Sequence, residues 1–171
     1  MFKRSWAIVF AAVIVSSASL MAGDYSHLLE VVQKTWPERT KAMAICSLEA
    51  NQFTLLELVE NARDKGISLV ILNIKDLRDM DKTVVSALSR RPGFCLIIDD
   101  DTVLGSKSSL IGRVASRAAM QGIPLVGLSP EPLKHGAVLA VGSAADAKVL
   151  VNFDMAKRLK LEMPEGAIDT K

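Results

Sequence analysis

Apolar positions fall in short continuous runs separated by segments with helical spacing. From Tyr25 to Trp36, Leu28, Leu29, Val31, Val32 and Trp36 recur on one side of a helix, which Pro37 ends. The run KAMAICS, bounded by Thr40 and Ser47, is short and wholly apolar and predicts a buried strand. Asn51 to Lys65 returns to helical spacing. Phe53, Leu55, Leu56, Leu58, Val59 and Ala62 supply its apolar face, Thr54 and Glu57 are spaced as a capping box, and Gly66 is its stop. ISLVILNI predicts a second strand ending near Asp76. A helix over Lys82–Arg91 follows, capped by Asp79 or Asp81 and stopped by Pro92-Gly93. FCLIIDDD is a third strand. Ser106 or Ser108 caps the next helix, which runs to Gln121, and IPLVGLS is a fourth strand.

Strand and helix alternate, and the strands are continuously apolar. That pattern belongs to a parallel sheet covered on both faces. The end of the chain differs. AVLAVG and KVLVNF are separated by SAADA, which predicts an antiparallel hairpin at the sheet edge, then a short helix over DMAKRLKL and a loose tail marked by Pro164 and Gly166. The fold expected is an α/β three-layer sandwich, Rossmann-like or flavodoxin-like, with a mostly parallel sheet and a C-terminal edge hairpin.

The first residues do not fit this alternation. Lys3 and Arg4 precede the apolar run WAIVFAAVIV, and SSAS and LMAGDYS follow. A basic start, an apolar core of about 7–15 residues and a small-residue zone make a secretory signal. The run is shorter than the roughly 20 residues a membrane-spanning helix needs. Cleavage is expected after Ala22, with Ser19 the alternative. Residues 1–22 are then the signal peptide and 23–171 a single periplasmic domain.

Charge changes the picture once that segment is set aside. The chain has 21 Lys+Arg against 19 Asp+Glu, so without Lys3 and Arg4 the count is 19 against 19. A basic footprint for nucleic acid is absent. His27 and His135 are far apart and no His/Cys spacing suits a metal, so neither metal nor cofactor is expected. Cys46 sits near the end of the first strand and Cys95 near the start of the third, about four residues or roughly 13 Å apart along the sheet. A disulfide needs Cα atoms within about 7 Å, so two buried free thiols are expected, although an exported protein meets an oxidising compartment.

In open parallel sheets ligands bind beyond the carboxyl ends of the strands. The segments there supply Ser47, Asp76, Asp99, Asp101, Thr102 and Ser129 as candidate ligand-binding residues, a partly acidic rim with hydroxyls. Catalytic motifs fail one by one. The acids Asp99 to Asp101 resemble a receiver pocket, but Cys46-Ser47 stands where the first strand would need acids. Gly127-Leu128-Ser129-Pro130-Glu131 starts like a nucleophile elbow. It lacks the second glycine, and Pro130 has no N–H for an oxyanion hole. Gly105-Ser106-Lys107-Ser108 lacks the first glycine of a phosphate loop. No catalytic residue is assigned.

The C-terminal third carries a resemblance. IPLVGLSPEPLKHGAVLAVG followed by KVLVNFDMAKRLKLEMPEGA, with Ile123, Pro124, Ser129, Gly136, Ala137, Asn152, Ala156, Lys157 and Pro164, resembles the ABC-transporter substrate-binding proteins of the tryptophan/tyrosine type. The resemblance covers roughly residues 94–167 and implies a binding fold serving a membrane permease. Those proteins close two lobes on a ligand, and this sequence has material for one, so the expectation is a single-lobe form that binds a small solute or a protein partner. Pairing of two copies to build a cleft stays open. Trp36, Pro37, Cys46 and Asn152 also resemble YfiR-like periplasmic regulators. That likeness implies a regulator or assembly subunit acting on a membrane signalling protein through contacts alone, with an exposed apolar patch around Trp36 or at the hairpin edge.

Overall fold

The computed structural model describes residues 15–74, 80–98, 108–141 and 148–170. Helix α1 (Val15–Thr35) leads into strand β1 (Lys41–Cys46), helix α2 (Gln52–Asp64) and strand β2 (Ser68–Asn73). Helix α3 (Met80–Leu88), strand β3 (Phe94–Ile97), helix α4 (Ser108–Met120) and strand β4 (Leu125–Gly127) continue the alternation. Helix α5 (Glu131–Lys134), strands β5 (Leu139–Val141) and β6 (Val149–Val151), helix α6 (Phe153–Leu159) and strand β7 (Ile168–Asp169) complete it. The sheet order is β2-β1-β3-β4-β5-β6-β7. The first five strands in that order are parallel, β6 is antiparallel to β5, and β7 runs parallel to β6. The order 2-1-3-4-5 is that of the flavodoxin-like sheet.

Alternation along each strand feeds two cores. Ala42, Ala44 and Cys46 of β1 and Phe94 and Leu96 of β3 face α1, α2 and α6. Met43, Ile45, Cys95 and Ile97 face α3, α4 and α5. Both faces of β1 and β3 are covered, so every residue from Ala42 to Cys46 and from Phe94 to Ile97 is buried. Gly66 and Gly122 follow α2 and α4 with positive φ of 67° and 70°. They let the next residue, Ile67 or Ile123, turn its N–H back to Ala62 or Ala118.

Several expectations need correction. The capping box at Thr54 and Glu57 is not used, because α2 starts earlier. Asn51 occupies the N-cap without a side-chain cap bond, and its amide donates instead to the Ser47 carbonyl at 2.9 Å. The apolar residues of α2 do not form one face: Leu55, Leu58 and Ala62 are buried, whereas Phe53, Leu56 and Val59 are exposed. Trp36 is buried, so no exposed patch surrounds it; its Nε1 donates to the Glu162 carbonyl at 3.0 Å. The tail is not loose, since Ile168 and Asp169 pair with Leu150 and Val151 and cover the hairpin edge. α5 was not expected, and α1 begins at Val15 rather than at Tyr25.

Cys46 and Cys95 are both free and buried. Cys95 lies opposite Met43, so Cys46 is three residues further along rather than four, about 10 Å. They also point to opposite faces of the sheet. Burial pushes the Cys95 thiol up to about 12. A thiol in the unfolded chain titrates near 8.5, so the native state holds the proton longer than the unfolded state does. Stability from this group is complete below about pH 8.5. It falls on the order of 1 kcal/mol per pH unit as pH rises toward the folded value. Iodoacetamide at pH 8 is expected to leave the native protein unlabelled and to modify both cysteines after unfolding without reductant. Labelling of native Cys95 would contradict this packing.

Candidate functional site

β1 is the turning point of the sheet, with β2 on one side and β3 on the other. At such a point the connections leave in opposite directions and open a crevice beyond the carboxyl ends of the strands. Ser47 immediately follows β1 and is almost wholly buried. Its loop is held from two directions. Asn51 Nδ2 donates to the Ser47 carbonyl, and Asn73 Oδ1 at the end of β2 accepts from the Leu48 N–H at 3.0 Å. These bonds pin the turn from β1 into α2, whose first N–H groups have no intrahelical acceptor and face this end of the sheet.

Ser129 follows β4 on the same side. Its Oγ accepts from the Glu131 N–H at 3.3 Å, which shapes the turn into α5. Glu131 then accepts from Lys134 at 2.7 Å and meets His135 Nε2 at 3.1 Å. The Lys134 bond first, and His135 after it, hold the Glu131 carboxyl below the usual carboxylate range. Behind this turn Asn152 Nδ2 donates to the Leu133 carbonyl while its Oδ1 accepts from Met155 N–H, so one side chain caps α6 and ties it to α5.

The fold therefore brings Ser47 and Ser129 to one end of one parallel sheet. β3 lies between their strands, which puts them roughly 10 Å apart at 4.8 Å per strand. They do not form a shared nucleophilic centre. Asp76, Asp99, Asp101 and Thr102 lie outside the described residues. Asn51, Asn73 and Asn152 are not among the candidate ligand-binding residues expected from the sequence; Asn51 stood there only as a helix start and Asn152 only as part of the resemblances. The available signal was an asparagine at a strand end or just before a helix, where its amide can serve a backbone group. Among the described residues no group of three His, Cys, Asp or Glu could hold a metal ion, and no helix is long and apolar enough to cross a membrane.

Solved structures share the fold. A conserved domain protein from Vibrio cholerae superposes with TM-score 0.72 at 18% identity, over 86% of this chain and 60% of its own. An ABC domain in complex with L-Trp from Streptococcus pneumoniae gives 0.70 at 15% identity, over 84% and 61%. The ligand-free, open structure of a substrate binding protein with adhesive properties from Clostridium difficile gives 0.68 at 17% identity, over 84% and 59%. The chain thus spans about 60% of the length of each. No curated protein matches the sequence. The family model for ABC transporter substrate binding proteins matches residues 19–165, nearly the whole chain. The chain therefore belongs to the ABC transporter substrate binding protein family.

Proposed function

We propose that the chain is an exported, periplasmic binding domain that captures a small solute at the carboxyl ends of β1, β3 and β4 without altering it, and works with a membrane permease. Support comes from the family and from one observation above the others: side-chain amides of Asn51 and Asn73 hold the Ser47 turn rigid at the sheet's turning point. A pre-shaped polar turn lowers the ordering cost of binding. The acids Asp76, Asp99 and Asp101, with Thr102 and Ser129, suit a solute bearing an amino group or several hydroxyls. The related structure that holds L-Trp is in keeping with an amino-acid-like solute. The basic and apolar start of the chain is read as the export signal, with 23–171 as the mature domain.

A second reading is carried by α2. Phe53 is 86% exposed, Leu56 65% and Val59 41%, a contiguous apolar stripe of the kind that marks protein contacts. In that reading the domain is a regulator or assembly subunit docked on a membrane signalling protein.

One experiment separates the two. The protein is purified without denaturation from crosslinked envelopes, and both released small molecules and crosslinked partners are identified by mass spectrometry. The solute reading expects a retained low-mass ligand whose retention falls at least tenfold in Asp99→Asn/Ser129→Ala. That is the loss of two hydrogen bonds at about 1 kcal/mol each. Unchanged retention would remove the site assignment. A membrane partner crosslinked through α2 with no retained solute would establish the second reading.

A further inference from the structure

β2 is the outer strand of the sheet. All six of its residues pair with β1, and among the described residues no strand pairs with its other side. The Ser68 and Ile74 N–H groups donate to the Thr40 and Cys46 carbonyls. By the two-residue alternation of a parallel ladder, Ser68, Val70 and Leu72 turn their backbone groups toward β1. Leu69, Ile71 and Asn73 turn theirs outward. Natural edge strands are usually blunted by a lysine, a proline, a bulge or extreme shortness. The strand Ser-Leu-Val-Ile-Leu-Asn has no charge and no proline, and its register is unbroken.

A groove of about 650 Å³ lies against the α3 side of this edge. Its floor includes Met43, Val70 and Leu72, with Val70 about half exposed. Lys41, Lys82 and Arg90 stand in its wall, and among the described residues no carboxylate does. None of these three cations joins an ion pair among the described residues. A second cavity of about 560 Å³ shares Pro92 with the first and adds Arg39 and Arg91. The cationic border therefore continues around the amino-terminal end of the sheet, the end opposite the Ser47 and Ser129 turns.

We propose that this edge and groove are a docking site for an extended acidic segment of a partner protein. The segment adds as a further strand beside β2, sends alternate apolar side chains into the groove and sets its carboxylates against Lys41, Lys82 and Arg90. Backbone pairing supplies affinity in this mode, and the pockets beside the strand supply selectivity. Charge argues against a second copy as the occupant. Antiparallel pairing of two β2 edges about a twofold axis places both α3 helices on one face, running in opposite directions, with Lys82 of one copy near Arg90 of the other. Like charges would meet there, whereas an acidic strand meets opposite charges at each point.

The test uses the full chain and an end-capped, fluorescently labelled ten-residue peptide of alternating valine and glutamate, with a valine–lysine peptide as control. Fluorescence anisotropy is expected to show saturable binding of the acidic peptide alone. The variant Lys82→Glu/Arg90→Glu, changed at two exposed positions, is expected to weaken binding tenfold or more with an unaltered melting temperature. Hydrogen exchange is expected to slow at Leu69, Ile71 and Asn73 when the peptide is bound, which a loose electrostatic contact would not produce. Absence of saturation at millimolar peptide, indifference to the charge reversal, or binding without that protection would each overturn the proposal. Uptake by phosphatidylglycerol vesicles in place of the peptide would overturn it in favour of a lipid surface. A concentration-dependent dimer protecting the same three amides would assign the edge to a second copy.

Discussion

Trp36→Ala is expected to destabilise the protein by about 3–5 kcal/mol, the range for removing a large buried aromatic side chain. Trp36 is 2% exposed and sits in the core beneath α1 and α2. It also joins distant parts of the chain, because its Nε1 donates to the Glu162 carbonyl 126 residues away. Leu161 and Met163, on either side of that carbonyl, pack on the same core. Loss of the indole therefore opens a cavity and frees the segment leading to β7. Urea unfolding should show a lower midpoint, and hydrogen exchange should rise from 161 to 170 before the sheet itself opens. Trp36→Phe keeps most of the ring but leaves the carbonyl without its donor, so it should cost about 1 kcal/mol. An alanine variant that unfolds at the wild-type midpoint would show that the tail is held by something else.

Periodicity located the elements well because burial is two-sided. Residues 42–46 and 94–97 are apolar throughout for the physical reason that both faces are covered. Periodicity was least informative where that condition lapses. β2 reads like β1 in the sequence, yet Ser68 and Val70 are exposed because β2 ends the sheet. Strand order is a long-range property that the run itself does not carry. α2 misled for a related reason. Six apolar residues look like one broad face, but a helix lying on one flat layer can bury only one side. Leu55 and Leu58 took it, leaving Phe53 and Leu56 outward.

The candidate site was partly legible. The rule for strand ends placed Ser47 and Ser129 just beyond β1 and β4, where the structure has them, because it depends only on strand direction. It did not reveal what holds them. The Asn51 and Asn73 bonds join residues 4 and 25 positions apart and depend on β1 and β2 being neighbours. In the sequence the Gly127–Glu131 stretch departs from a nucleophile elbow at Pro130, which has no N–H for an oxyanion hole. The structure adds that the same stretch begins a short helix, α5, seated directly on β4.

That seat supports a final expected result. A Cβ placed on Gly127 would lie 2.8 Å from Pro132 Cγ and 3.2 Å from its Cβ. The first distance is too short for any contact, and a proline ring is held rigidly at the start of a helix and cannot swing aside. Gly127→Ala must therefore lift α5 away from β4, at a cost of about 1–3 kcal/mol for overpacking. The lift carries Ser129 with it, since Ser129 Oγ is bonded to the Glu131 N–H within that turn. It also strains the Asn152 bond to Leu133 behind it. Solute retention should fall together with stability. Pro132→Ala removes the nearest offending atom, so Gly127→Ala/Pro132→Ala should be more stable than the two single losses predict. A double-mutant cycle reads this as a favourable coupling of about 1 kcal/mol or more. Additive losses would mean that Gly127 is required for its backbone and not for the space it leaves. Coupling in stability without recovery of solute retention would show that the position of Ser129, rather than the packing beneath it, is what the ligand senses.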